Sequence, residues 1–187
     1  MWEYKDEDVK SQNEGGGHWI NKSGCYDLKI ISAEIKKSNS SSSEGVNIFF
    51  EGSLGKASLT LWYKKKDGTP NDFNVKQLNR LMYLCKLKKN DVTTVEVDGK
   101  KFIKSFENKE IGAILHLELK SEKTETSLKD FYDIKTKKTS DEILNSKEAK
   151  NYYFWCEKFI DAPELKYKKK ENIESKSETL NEDEFPF

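Results

Sequence analysis

The side chains able to do chemistry in this 187-residue chain are few, and their spacing limits what they can do. His18 and His116 lie far apart, and Cys25, Cys85 and Cys156 are odd in number and widely separated. No group of them has the spacing of zinc ligands, and the odd count argues against a disulfide framework. Neither a metal nor a cofactor is expected. The chain also lacks a glycine-rich phosphate loop, a nucleophile elbow and any cluster of His, Cys and carboxylate, so it is not expected to be an enzyme. What stands out instead is aromatic rings near lysines. Across Lys56 to Lys64, Ala57, Leu59, Leu61 and Tyr63 fall on one face, with Ser58, Thr60, Trp62 and Lys64 on the other. In the preceding stretch Phe49 alternates away from Val46, Ile48 and Phe50. Flat rings beside ammonium groups are the chemistry of base stacking and phosphate neutralisation. Phe49 and Trp62 are therefore the expected stacking platforms. Trp19 is a third candidate, although a role anchoring the first strand suits it better. Lys29, Lys56, Lys64 and Lys66 are expected to meet phosphates, with Lys36, Lys37 and Lys65 nearby. The competing reading is that Phe49 and Trp62 cover a second small core beneath a C-terminal helix.

A different chemistry sits at the end of the sequence, where Glu182, Asp183 and Glu184 run into Phe185-Pro186-Phe187. Such a run has too little apolar surface to offset the entropy of ordering itself. It is either a solvated terminus or a peptide that a partner protein recognises. In the second case Phe187 is expected to fill an apolar pocket with its carboxylate met by a basic group, while Asp183 and Glu184 steer the encounter. The tail could also rest in the chain's own basic groove, since the two carry opposite charge.

The charge distribution supports a polyanion partner. The chain holds 33 basic and 33 acidic residues, but residues 15–170 hold 30 bases against 22 acids, while both ends are acidic. Nearly all the positive charge is lysine, with Arg80 the one arginine. Lysine acts as a point charge on phosphate, whereas reading bases favours the bidentate fork of arginine. Binding to nucleic acid would therefore be independent of sequence. Hydrophobic and charged residues each make up 35%, which allows only a modest core. No apolar run approaches the roughly 18 residues of a membrane span, and no signal peptide is present, so a soluble, cytoplasmic protein is expected.

The elements that must position these residues can be placed in order. Residues 1–17 read as a flexible arm. Tyr26, Leu28 and Ile30 share a face, and Ala33 and Ile35 continue it one residue out of phase, which predicts a bulge in a long bent strand. Two more strands follow, over Val46 to Glu51 and Lys56 to Lys64, with a serine-rich loop, Ser38 to Ser43, between the first and second. Asn71 and Asp72 can cap a helix carrying Val75, Leu78, Leu81, Met82 and Cys85 on one stripe, where Cys85 is a buried filler. Asp98-Gly99 signals a hairpin, Gly112 to Lys120 alternates as a strand, and Phe131 to Ile134 forms a short extended stretch. A capping box at Thr139 to Glu142 opens a helix through Phe159. Residues 163–180 read as a polar linker and 181–187 as the tail. This order fits a mainly β (α+β) fold: a five-stranded oligonucleotide-binding (OB) barrel over residues 18–162, with a helix between strands 3 and 4 and an additional C-terminal helix.

The motifs in that order resemble those of phage-type single-stranded DNA-binding proteins. Ser23-Gly24-Cys25-Tyr26 opens the first strand, and Trp62-Tyr63 precedes Lys66-Asp67-Gly68. Leu78 to Met82 supplies a Leu-x-x-Leu-Met helix, and Tyr132, Thr136, Thr139 and Glu142 fall at the spacing that ends the barrel. The terminus Asp183 to Phe187 is similar to the acidic tail of the bacterial single-stranded DNA-binding proteins. The resemblance implies an OB fold that coats and protects single-stranded DNA in replication and recombination. It also implies that the tail recruits replication or recombination proteins, in the bacterial host cytoplasm if the chain is phage-encoded. Self-association is left open, and the alternative is an adaptor or inhibitor that uses the tail to occupy a partner's pocket without binding DNA.

Overall fold

In a computed structural model the chain is described over residues 18–120 and 123–165. The expected arm, most of the linker and the whole tail, including Glu182 to Phe187, lie outside the described residues. The fold is mainly β: the described residues form seven strands in one antiparallel sheet and three short α-helices. The strands are β1 (Gly24–Lys37), β2 (Glu44–Gly52), β3 (Gly55–Lys64), β4 (Thr94–Val97), β5 (Lys100–Ile103), β6 (Glu110–Lys120) and β7 (Lys123–Tyr132). Helix α1 (Asp72–Leu84) lies between β3 and β4, and α2 (Ser140–Leu144) and α3 (Lys150–Lys158) follow β7.

Strand β1 organises the sheet. Its first half pairs with β6, from Gly24 opposite Leu115 to Lys29 opposite Glu110. Its second half pairs with β5 on that same side through Glu34 and Ile35. Along the other side it pairs with β2, and the register slips between Ile30 and Ser32. Ile31 is the extra residue: it is 40% exposed, while Leu28, Ile30 and Ala33 are all buried. The bulge anticipated from the phase shift is therefore present, and it keeps both halves of β1 facing one core.

Among the described residues the ladder does not close into the expected five-stranded barrel. Strands β3 and β7 come near each other without pairing, and α1 packs against both. Leu81 and Cys85 seat the helix in the core, and burial pushes the Cys85 thiol up to about 11, as befits an inert filler. Asn71 is the N-cap residue of α1, but its side chain makes no cap bond. The hairpin β4–β5 turns through Asp98 and Gly99, both at positive φ, as its sequence predicts. Strand β7 starts eight residues before the expected stretch at Phe131; its polar first half pairs with the exposed end of β6, where no core imposes an apolar pattern.

The single C-terminal helix expected from Thr139 to Phe159 is two helices. Ser146 takes a positive φ after Asn145 ends α2. The buried Glu142 then serves both pieces: its Oε2 accepts from the Thr139 N–H at 2.8 Å, and its Oε1 accepts from the Asn151 N–H at 2.7 Å. Helix α3 closes a second cluster on the outer side of β6 and β7, where Phe159 packs with Ile114, Tyr132, Tyr152 and Trp155. Tyr132 lies against Gly112, where a Cβ would come within 2.1 Å of the ring.

A polar clasp ties α1 to this end of the sheet. Arg80 Nη1 stands 3.3 Å from Asp130 Oδ1, and Asn151 Nδ2 donates to Asp130 Oδ2 at 3.3 Å. Burial raises the Asp130 pKa, with Arg80 pulling it back only in part. A carboxyl whose pKa is raised on folding contributes stability at low pH that is lost as pH rises through the folded value. Arg80→Ala would lift that pKa further and leave an uncompensated buried charge. The expected cost is about 2 kcal/mol in urea unfolding at pH 7, shrinking toward zero as the pH falls to the carboxylate range. A cost that did not change with pH would mean that the clasp is not electrostatic.

Candidate nucleic-acid interface

The outer face of β1, β2 and β3 can be read row by row from the register. Lys56 of β3 stands opposite Glu51 of β2, which stands opposite Lys29 of β1. The next rows are Ser58, Phe49 and Ser32, and then Thr60, Asn47 and Glu34. Trp62 and Gly45 follow, with Lys36 opposite Gly45. The opposite faces of these strands carry Leu59, Leu61, Ile48, Val46 and Ile30, all in the core. The alternation therefore predicted correctly which side each residue takes.

The expected platforms stand outside both hydrophobic clusters. Trp62 is 36% exposed, and its ring rests on Gly45, where a Cβ would come within 2.9 Å of Cε3. Phe49 is half-buried and meets Trp19 edge-on, with ring centroids 5.5 Å apart. Trp19 does not anchor the first strand. Ile20 takes the core position beside it, while Trp19 bridges to Lys56 and stays 44% exposed. The competing reading of a second core beneath the C-terminal helix is half right. That core exists, but it is built on Ile114 and Tyr132 and contains neither Phe49 nor Trp62.

The lysines are more tightly paired than their number suggests. Lys64 Nζ lies 3.3 Å from Glu44 Oε1, and Lys56 Nζ lies 3.7 Å from Glu51 Oε1. Lys36 pairs with Glu34 at 3.7 Å. Lys29 and Lys66 are exposed and enter none of the ion pairs found among the described residues. Lys66 sits in a loop closed by Asp67, whose Oδ1 accepts from the Thr69 N–H at 2.9 Å and from its hydroxyl at 2.6 Å. That loop and Ser38–Ser43 adjoin the Trp62 end of the face. The serine loop is closed by Ser38 N–H to the Ser43 carbonyl at 2.9 Å.

Sequence reasoning missed the polar centre of the face. Asn47 Oδ1 accepts from Ser58 Oγ at 2.9 Å and from Thr60 Oγ1 at 3.0 Å, locking β2 to β3 between the two aromatics. It also passed over Phe102, which β5 brings opposite Glu34 on the same face. The alternation of a four-residue strand is too short to assign a face; only the pairing with β1 does so. No metal-holding group of three His, Cys, Asp or Glu side chains occurs among the described residues. No described helix is long and apolar enough to cross a membrane.

Comparison with known proteins adds no relative: no family model matches the chain, and no curated protein matches it.

Hydrogen bonds from Lys64, then from the Tyr63 hydroxyl at 3.1 Å, lower the Glu44 pKa. A depressed carboxylate stabilises the fold above the ordinary range and loses that contribution as pH falls through its folded value. NMR titration should find Glu44 ionising below the usual glutamate range, and Lys64→Met should return it toward that range. An unchanged value in Lys64→Met would show that the pair does not persist in solution.

Proposed function

We propose that the chain is a sequence-independent single-stranded DNA-binding protein that holds the strand across the outer face of β1, β2 and β3. The observation that carries this reading is a sheet face with three aromatic rings, Trp19, Phe49 and Trp62, outside both cores and edged by lysines. Rings fixed on a sheet offer bases a preorganised stacking surface, which every base can use. Lys29, Lys56, Lys64 and Lys66, with Lys36, Lys37 and Lys65, are assigned to the phosphates.

The strand order β3-β2-β1-β6-β7, with α1 lying where β3 approaches β7, supports an OB-type barrel whose seam is filled by a helix. The resemblance of the motifs to phage-type single-stranded DNA-binding proteins agrees with it. In this reading the protein coats and protects single strands, and residues 182–187 recruit replication or recombination proteins.

The paired lysines favour a second reading. A face on which Lys56, Lys64 and Lys36 already have carboxylate partners suits a protein surface, as in an adaptor that works through its tail without DNA. For DNA binding these pairs must exchange a carboxylate for a phosphate, so the electrostatic gain comes mainly from the unpaired lysines. With about four phosphates neutralised, the log–log salt dependence has a slope of about −3.

Titration with oligothymidylate should quench tryptophan emission, and Trp62→Ala should weaken binding about 5- to 100-fold at unchanged melting temperature. Absence of both quenching and salt-sensitive binding would overturn the DNA reading in favour of the adaptor.

A further inference from the structure

We propose that the strand-binding face does not end at β1 but continues across the β4–β5 hairpin, where Phe102 is a further base-stacking platform flanked by Lys100. This rests on the single-strand reading above and extends it by residues outside the three-strand face.

The register carries the argument. Phe102 stands opposite Glu34, and Val95 of β4 stands opposite Phe102. Directly paired residues of antiparallel strands share a face. A single row therefore runs Thr60, Asn47, Glu34, Phe102, Val95 over five strands, on the same side as Phe49 and Trp62. Glu34 does face outward, because its neighbours Ala33 and Ile35 pack in the core. Phe102 belongs to neither hydrophobic cluster and stays partly exposed, whereas the next residue, Ile103, is buried. Adjacent strands are about 4.8 Å apart, which puts Phe102 roughly 12 Å from Phe49 and roughly 16 Å from Trp62. The three rings are thus spread across the sheet as separate stations.

The hairpin is held firmly at its root. Ile103 and Phe106 enter the core, and the Lys104 N–H donates to the Thr93 carbonyl at 2.9 Å. The backbone that carries Phe102 is thereby fixed, while Asp98-Gly99 at the tip remains exposed. Lys100 lies two residues from Phe102, hence on its face, and enters none of the ion pairs found among the described residues. Val95 and Val97 share that face and are 39% and 52% exposed. An unpaired ammonium beside a supported ring repeats the combination assigned to the other end of the face.

A purely structural Phe102 would do no more than pack on Val95 across the hairpin. Leucine keeps that packing but cannot stack, and tryptophan can do both. The full-length wild type, Phe102→Leu and Phe102→Trp are titrated with a twenty-residue oligothymidylate, with melting temperature measured in parallel. Phe102→Leu should melt as the wild type does but bind about fivefold or more weakly, and its site size on polythymidylate should shorten. Phe102→Trp should recover the affinity and, in a Trp19→Phe, Trp62→Phe background, restore emission quenching. Wild-type affinity in Phe102→Leu while the wild type itself binds would overturn this inference alone. If the wild type fails to bind, the single-strand reading falls, and this extension falls with it.

Discussion

The single extra residue at Ile31 is the constraint on which the rest of the sheet depends. Side chains alternate along a strand, so a strand of constant phase would turn either Leu28 and Ile30 or Ala33 and Ile35 away from the core. The bulge resets the phase and increases the local twist. It also divides β1 into a half that pairs with β6 and a half that pairs with β5. At the junction Ile30 stays satisfied: its N–H donates to the Lys109 carbonyl and its carbonyl accepts from Asn108, at 2.9 and 2.8 Å. The branch through β6 to β7 and the branch through β5 to β4 both start from the two halves of β1 that this bend separates.

Much of this was legible because one side of most strands is buried. Where a strand covers a core, as Val46, Ile48 and Phe50 do, the apolar period declares both the strand and its facing. The bulge was visible for the same reason, as was the Asp98-Gly99 turn, which depends only on local φ. What escaped notice was structure with no core on either side. The first half of β7 is polar because it pairs with the end of β6, where Glu118, Leu119 and Lys120 are exposed. The break between α2 and α3 escaped because apolar residues recur on both sides of it, from Ile143 and Leu144 to Tyr152 and Phe159. Only tertiary contacts reveal that Glu142 caps two helices. The facing of Phe102 and the absence of a β3–β7 ladder are likewise matters of pairing between distant segments.

The expected site was legible in its rings and less so in its charges. Alternation is enough to turn Phe49 and Trp62 outward, but ion pairing depends on cross-strand register. Glu51 lies opposite Lys56, and Glu44 opposite Lys64, only because β2 and β3 are aligned as they are. Net charge over residues 15–170 therefore overstates the positive potential that this face presents. Exposed pairs of this kind are worth little to stability, which leaves their lysines able to change partners at small cost. The same pairing keeps these ammonium groups in place on the sheet in the absence of any polyanion.

The division of labour between the two sides of the sheet is what makes a binding role for this face physically coherent. Stability comes from the inner cluster and from the smaller one closed by α3, and neither draws on Phe49, Trp62 or Phe102. Rings exposed in this way cost the protein apolar hydration and are not required by its packing. They are nonetheless held in place, Trp62 by Gly45, Phe49 by Trp19, and the backbone of Phe102 by Ile103 in the core. Immobilising a ring before its partner arrives removes part of the entropy that binding would otherwise cost. An exposed ring on a flexible loop would carry the same hydration cost without that advantage, so the fixing of these rings on the sheet is what the proposed binding role draws on.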